Sequence, residues 1–296
     1  MKQYTAISIA ALLFIFTFIP TTAPAAEGGL DAALETISTW EPGERDEAFE
    51  AIFAMGPSAL PGIADHLTTP GGDLYAGALY AIHGMALHVS RPGADDERKD
   101  FVQEVIEELE TDRPARVKKL LIEQLHYAGG ADAVPALSGF LTGNDERLAE
   151  AAREALEANS ANEATVALRE ALVETDGRLL VGVINALGQR RDREAVDDLR
   201  AHVQSDDAAV RRAALQALGE IGAPNGRGAI ESALTSSAPE VRRAAFDAYL
   251  TLGEHLLAAG DKDRAGSIYR IVLMRVEEPQ LRCAALYGIR SAGAIS

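Results

Sequence analysis

The chain has 296 residues, and its 45 acidic and 28 basic residues give a formal net charge of −17 at pH 7. This excess of negative charge repels phosphate backbones and anionic membrane surfaces, so we expect no nucleic-acid partner. Aromatic residues make up only 5% of the chain. That composition favours stacked helices over a β-sheet, which is usually rich in β-branched and aromatic residues.

Residues 1–25 have the pattern of an export signal. Lys2 precedes an apolar run from Ile7 to Ile19, and Pro20 and a small-residue stretch from Thr21 to Ala26 follow it. A basic residue, an apolar run and a small-residue cleavage site in this order are typical of secretory signal peptides. The run is shorter than the ~20 residues that span a bilayer. We therefore expect a periplasmic or secreted protein with no stable membrane insertion after signal cleavage.

Residues 26–43 are expected to form a lead-in to repeats that extend from residue 44 to residue 296. Cys283 is the only cysteine in the sequence. No disulfide can therefore form within the chain, and the packing of apolar side chains must stabilise the fold.

Apolar residues recur at an interval of 31 residues, most regularly between residues 133 and 245. The three series are Leu137, Leu168, Leu199 and Ile230; Leu141, Leu172, Val203 and Leu234; and Leu148, Leu179, Val210 and Val241. Each member of the third series begins a template with apolar or small residues at offsets 0, 3, 4, 7 and 8, which is one face of a helix. Shorter helices are predicted between the templates. Neither helix of such a pair can bury its apolar face alone, so neighbouring pairs must stack around a shared core.

Particular residue types mark the predicted helix ends. Glycine adopts the left-handed conformation beyond a helix end without steric cost. Aspartate accepts hydrogen bonds from the free N–H groups at a helix start, and proline has no N–H to satisfy. The predicted ends are Gly188, Gly219 and Gly222, and the predicted starts lie near Asp145, Asp176, Asp207 and Pro239.

The interval between template starts is longer at two places. Between the starts at Leu74 and Val117 lies a polar stretch from Ser90 to Glu97, and the start after Val241 is Leu281. The second extra length predicts an inserted helix pair at about residues 246–278.

Two segments carry a family resemblance. Residues 207–222 (DAAVRRAALQALGEIG) and 239–245 (PEVRRAA) resemble the HEAT-like repeats first grouped with phycobilisome lyases. The resemblance implies an all-α, right-handed α-α superhelix whose second helices line the concave face. Residues 256–269 (LLAAGDKDRAGSIY) resemble a tetratricopeptide-type helix pair instead.

The six histidines do not form a metal-binding pattern. Some HEAT-repeat enzymes hold two irons through His-Glu pairs on successive helices, but the adjacent pair Glu254-His255 has the reverse order. His83 and His88 are five residues apart, whereas metal ligands on a helix are usually four apart. We therefore expect no metal and no other cofactor.

Other catalytic signatures were also sought in the sequence. It contains no Gly-x-Ser-x-Gly nucleophile elbow and no Gly-rich loop with the Gly-Lys-Ser/Thr ending that binds phosphate. An export signal argues against a lyase acting on a cytoplasmic light-harvesting partner. We expect a non-enzymatic protein-interaction scaffold of the cell envelope. The alternative is an accessory module of an envelope enzyme, directed at carbohydrate.

One template position carries arginine in three units. The residues are Arg211, Arg242 and Arg282. Our interpretation is that each pairs with an acid near a helix start, for which Asp206, Asp207 and Glu240 are suitably placed. The alternative is a ladder of arginines that binds a ligand.

One row of polar residues is the candidate site for partner contact. Its members are Ser138, Arg169, Arg200 and Glu231. Each follows a core residue by one position, about 100° around the helix, so we expect the row at the edge of the groove. Arg169 and Arg200 could there meet an acid or sugar-acid ligand. The alternative is that both pair with Glu170 or with acids on neighbouring helices.

The last template, from Leu281 to Ile289, is followed by no second helix. Natural arrays normally end in a polar cap that shields the final apolar face. The exposed end indicates self-association, coverage by a protein partner, or a shortened relative of longer modular proteins.

Overall fold

A computed structural model describes residues 29–39 and 42–293, which contain sixteen α-helices and no strand. The helices are α1 (Leu30–Ser38), α2 (Pro42–Met55), α3 (Leu60–His66), α4 (Tyr75–Val89), α5 (Asp95–Glu110), α6 (Ala115–Ala128), α7 (Val134–Leu141), α8 (Glu146–Ala158), α9 (Asn162–Glu170), α10 (Gly177–Gln189), α11 (Val196–His202), α12 (Ala208–Ile221), α13 (Arg227–Ala233), α14 (Pro239–Ala258), α15 (Lys262–Arg275) and α16 (Pro279–Ser291). The predicted all-α repeat fold is confirmed. The predicted signal, residues 1–25, lies outside the described residues and stays a prediction.

From α3 onwards the helices alternate between two rows. The template row consists of α4, α6, α8, α10, α12, α14 and α16, which carry the sequence template. The connecting row consists of α3, α5, α7, α9, α11, α13 and α15. Consecutive template helices pack directly against each other from α4 to α14, and each connecting helix packs against the template helix that follows it. In the predicted lead-in, α1 packs against α2 and α4.

The template positions form the core. In α12 the residues at offsets 0, 3, 4, 7 and 8 are Val210, Ala213, Ala214, Ala217 and Leu218, and none is more than 5% exposed. The apolar residues of the connecting helices close the same core, which is continuous along the described chain. The sequence periodicity therefore corresponds to burial, as predicted.

Two of the predicted cap residues are wrong. Gly188 and Gly219 lie in the last turns of α10 and α12, but the capping residues are Arg190 and Gly222. A methyl group on Gly188 would lie 2.8 Å from the Cα atom of Ala217, and one on Gly219 would lie 2.9 Å from the Cα atom of Ala248. Both glycines are therefore needed for close approach between neighbouring template helices. Of the three glycines, Gly222 alone caps a helix, with a φ of +66° in the left-handed region.

The predicted helix starts are confirmed. The Asp145 carboxylate accepts hydrogen bonds from the N–H groups of Arg147 (2.9 Å) and Leu148 (3.3 Å). Asp207 accepts one from the N–H group of Ala209 at 2.7 Å. Asp176 occupies the same position before α10 without a side-chain hydrogen bond, and Pro239 is the first residue of α14.

The long interval after Val241 contains the end of α14 and all of α15. The ring of Tyr269 in α15 is 2% exposed. It fits between Gly253 of α14 and Gly288 of α16, where any larger side chain would collide with the ring. One aromatic side chain thus joins the last three helices.

We predict that Gly219→Ala lowers the free energy of unfolding by about 1–3 kcal/mol, because the added methyl group overpacks the contact with Ala248. Gly139→Ala is the matched control. Gly139 also lies inside a helix, α7, but nothing lies within 4 Å of an added methyl group there. It should raise the stability by about 0.5–1 kcal/mol. Urea denaturation followed by far-UV circular dichroism measures both, and equal effects would contradict the close-approach role.

Candidate partner-binding face

A groove of about 460 Å³ crosses α10, α12 and α14 on the exposed side of the template row. Its lining residues are Val181, Asn185, Ala209, Arg212, Ala213, Gln216, Glu220, Ala244, Asp247, Ala248 and Thr251. Alanines supply much of the apolar lining, and amide and charged side chains supply the rest. The small alanine side chains therefore leave the groove wide near the helix backbones, and the amide and charged side chains make it polar.

A second groove of about 440 Å³ crosses α6, α8 and α10 on the same row. Its lining residues are His126, Arg153, Glu154, Glu157, Ala158, Gln189 and Arg190. The two grooves share α10, so together they extend across five consecutive template helices.

One template position supplies a polar side chain to the grooves from each of four helices. These residues, which we call the polar row, are Glu154, Asn185, Gln216 and Asp247, spaced at 31 residues. The 31-residue register places them side by side on α8, α10, α12 and α14. Packed helices lie about 8–10 Å apart, so the row presents one polar group at each such interval. Sequence reasoning missed this row, although its spacing in the sequence was a usable signal.

Arg153 organises the surface of α8. Its side chain is 10% exposed and pairs with Glu150 (3.0 Å), Glu154 (3.6 Å) and Glu157. Gly182 on α10 makes room for it, because a methyl group there would lie 2.6 Å from the Arg153 Cδ atom. Burial opposes the charge of Arg153, but the hydrogen bond with Glu150 and the nearby carboxylates outweigh burial and raise its pKa. Three carboxylates around one guanidinium leave this part of the face with excess negative charge.

Arg190 closes the end of α8. Its guanidinium donates to the carbonyls of Leu156 (3.1 Å), Glu157 (2.9 Å) and Asn159, and to that of Ala161 at 3.0 Å. Burial lowers its pKa. The side chain satisfies carbonyls that a helix end leaves without partners, so its role in the groove is structural.

The four residues predicted to contact a partner lie on the connecting row and line neither groove. Ser138 is on α7, and its hydroxyl donates to the carbonyl of Val134 at 2.9 Å. Arg169 on α9 pairs with Asp192 (3.5 Å) and Glu194, and its side chain is only 20% exposed. Arg200 on α11 pairs with Asp197 at 3.0 Å. Both arginines thus pair with acids, but neither acid partner is Glu170, and Asp197 lies on the same helix as Arg200. Their role in partner contact stays a prediction.

Glu231, the fourth residue, takes part in a half-buried network. Its carboxylate accepts hydrogen bonds from the Arg227 Nε atom (2.8 Å) and from the Tyr249 hydroxyl (2.5 Å). Burial alone would raise the pKa of Glu231, but the hydrogen bonds from Tyr249 and Arg227 lower it. Burial and the bond to Glu231 raise the pKa of Tyr249, which is 0% exposed, to about 12.

The three arginines at one template position have structural roles, as predicted, but the predicted acidic partners are wrong. Each donates to the main-chain carbonyl of the residue six positions earlier. The acceptors are Ser205 for Arg211 (2.5 Å), Ser236 for Arg242 (2.7 Å) and Val276 for Arg282 (3.0 Å). These carbonyls follow the end of a connecting helix, where backbone acceptors lack helical partners.

The histidines serve packing and hydrogen bonding. His83 lies 3.3 Å from the Gln124 Oε1 atom, and His88 stacks on Phe53 with ring centres 4.0 Å apart. Among the described residues, no group of three or more histidine, cysteine, aspartate or glutamate side chains is arranged to hold a metal ion. None of the helices in residues 29–39 and 42–293 combines the length and hydropathy of a membrane span.

Comparison with known families identifies the repeat. Residues 170–250 match the family model described as HEAT repeats. This part of the chain, from the end of α9 into α14, therefore consists of HEAT repeats, and the HEAT-like resemblance of residues 207–222 and 239–245 is confirmed. A search of the curated proteins finds no significant match.

Several solved structures are similar to the chain. The Escherichia coli protein YibA is 11% identical, with 88% of this chain and 92% of YibA covered and a TM-score of 0.49. The CpcE–CpcF complex of phycocyanin lyase from Nostoc sp. PCC7120 is 18% identical, with 79% and 94% covered and a TM-score of 0.40. Human deoxyhypusine hydroxylase is 18% identical, with 76% and 96% covered and a TM-score of 0.33. Similarity at this level carries no information about activity.

We predict that Arg190→Met lowers the free energy of unfolding by about 1–3 kcal/mol, because the α8 carbonyls lose their donor. Arg191→Gly is the control that removes the neighbouring charge. Arg191 has a φ of +53°, a conformation that glycine adopts more easily, so this variant should be unchanged or more stable by up to about 1 kcal/mol. Chemical denaturation measures both. A loss at Arg191 that matches the loss at Arg190 would show that charge, not capping, is responsible.

We also predict an alkaline dependence of stability from Tyr249. Folding raises the pKa of this phenol from 10.0 to about 12. Its stabilisation is therefore fully present below about pH 10 and is lost as the pH rises through about 12. Tyr249→Phe should be less stable by about 1–3 kcal/mol at neutral pH and should lose less stability between these pH values. Urea titrations over this range measure both slopes, and identical slopes would contradict the prediction.

Proposed function

We propose that this chain is a non-enzymatic protein-interaction scaffold of the cell envelope, which holds a segment of a partner protein across its template row. The observation that supports this most directly is the pair of grooves that meet at α10, with one polar-row side chain from each of four helices. HEAT repeats present repeated helix faces of this kind as extended binding surfaces.

The polar row suits an extended polypeptide. Three residues of extended chain span about 10 Å, which matches the 8–10 Å between packed helices. The side-chain amides of Asn185 and Gln216 can both donate and accept hydrogen bonds, as a peptide backbone requires. Ala213 and Ala244 leave space beside them for the backbone to approach.

The two lining arginines and the two amides of the polar row suit binding. Arg153 and Arg190 are committed to ion pairs and carbonyls within the fold. Asn185 and Gln216 carry neutral amides, which do not transfer protons near neutral pH. The location in the cell envelope rests on the export-signal pattern of residues 1–25.

Site-specific photo-cross-linking in cells that produce the full chain tests the proposal. A photoreactive residue at Gln216 should form a covalent adduct with one protein, identified by mass spectrometry, and the same protein should appear with the probe at Asn185. The probe at Arg200, exposed on the connecting row, is the control and should not capture it. Capture at Arg200 alone would favour the row predicted from the sequence. A carbohydrate adduct without protein would favour the accessory module of an envelope enzyme.

We predict that Asn185→Ala combined with Gln216→Ala weakens binding of the cross-linked partner at least about tenfold, because each amide loses hydrogen bonds worth about 1 kcal/mol. Both side chains are partly exposed at the surface of the groove, so the thermal midpoint should change little. Arg200→Ala is the control for the connecting row. It is a cleaner probe than Arg169→Ala, which would also leave the buried carboxylate of Asp192 without its ion pair. Titration calorimetry with the purified partner measures the difference, and undiminished affinity in a folded double variant would remove the amides from the site.

A further inference from the structure

The two ends of the described array carry opposite charges. Helices α1 and α2 contain six acidic residues and one basic residue, Arg45. The six are Asp31, Glu35, Glu44, Asp46, Glu47 and Glu50. Helices α15 and α16 contain six basic residues and one acidic residue, Asp263. The six are Lys262, Arg264, Arg270, Arg275, Arg282 and Arg290. In a chain with a formal charge of −17, a basic end is a local reversal of sign.

The basic end also exposes apolar side chains. Tyr287 is 75% exposed and Leu286 45% exposed on α16, and Met274 at the end of α15 is 77% exposed. The opposite side of α16 is buried against α14 and α15. The acidic residues Asp261, Glu277 and Glu278 flank α15 and α16 in the turns, whereas α16 itself carries arginines and no acid.

The acidic end is polar on its outer surface. In α2, Glu44, Asp46, Glu47 and Glu50 are all exposed, and in α1 so are Asp31 and Glu35. This surface has the polar character that a terminal cap of a repeat array requires. At the C-terminal end Leu286 and Tyr287 are exposed instead, and the N-terminal end of another copy would cover them with a surface of opposite charge.

We propose that the chain associates head to tail, with the α15–α16 end of one copy docked on the α1–α2 end of the next. The charges of the two ends favour head-to-tail contact over contact between two like ends. Two basic ends or two acidic ends placed together would repel each other, whereas the head-to-tail contact joins opposite charges and covers Leu286 and Tyr287. Such a contact is heterologous, so each added copy leaves both kinds of end available and the assembly grows as an open chain.

Sedimentation of the purified full chain tests the proposal. The wild type should form a concentration-dependent series of species at low salt. Screening shortens the range of charge interactions to about 8 Å at physiological ionic strength, so the association constant should fall roughly tenfold or more when salt is raised. A strict monomer at low salt from micromolar to millimolar concentration would overturn the proposal.

Two variants, each blocked at one end, test whether the contact is head to tail. Leu286→Asp with Tyr287→Asp blocks the basic end, and Glu47→Lys with Glu50→Lys blocks the acidic end. Each variant alone should be monomeric, and their equimolar mixture should form a one-to-one dimer and nothing larger. Dimers of either variant alone, or no dimer in the mixture, would exclude head-to-tail contact.

A control with the same charge change keeps the test specific. Glu163 and Glu174 are exposed near the middle of the array, and Glu163→Lys with Glu174→Lys should sediment like the wild type. Far-UV circular dichroism confirms that each variant is folded. These readouts do not involve the grooves, so failure of self-association and failure of partner binding at Gln216 are distinguishable.

Discussion

The fold depends on how closely neighbouring template helices approach each other. Gly188 against Ala217 and Gly219 against Ala248 bring backbone to within contact distance of backbone, so α10, α12 and α14 pack closely at these positions. This close packing keeps the 31-residue register in line across the three helices. The continuous core on one side and the polar row on the other both follow from that alignment, because each requires equivalent residues of successive helices to be neighbours.

A second interaction ties the two rows together. The last carbonyls of the connecting helices have no partners within the helix. Arg211, Arg242 and Arg282 reach back from the template helices to these carbonyls. Arg190, directly after α10, likewise donates to the carbonyls at the end of α8. Guanidinium groups suit this task because they offer several donors in a fixed plane. Many of the arginines of this acidic chain are thereby committed to backbone, and fewer are left to bind a ligand.

The sequence predicted the architecture well because burial follows the apolar period directly, as Val210 and its template neighbours show. It did not indicate the grooves. The row of Ser138, Arg169, Arg200 and Glu231 lies on the connecting helices, whereas Asn185 and Gln216, which line a groove, recur at the same interval on the template helices. Periodicity alone indicates which residues are equivalent. It does not indicate which row of helices carries a groove. Gly219 was misread for a related reason. Glycine serves both a left-handed helix end and a close approach, and only the position of Ala248 on the next helix distinguishes them. For Arg211, carboxylates and carbonyls lie equally near in sequence, and geometry selects the carbonyl.

The Tyr269 ring between Gly253 and Gly288 has a consequence for the C-terminal end. In a linear array the last helix has a neighbour on one side only, so it is usually the first to fray. Here the ring makes contact with both α14 and α16. Separation of α16 would therefore uncover a buried aromatic side chain. We therefore expect the three final helices to open as one cooperative unit. Hydrogen exchange at this end would then depend on the opening of the whole block rather than on the loss of single turns.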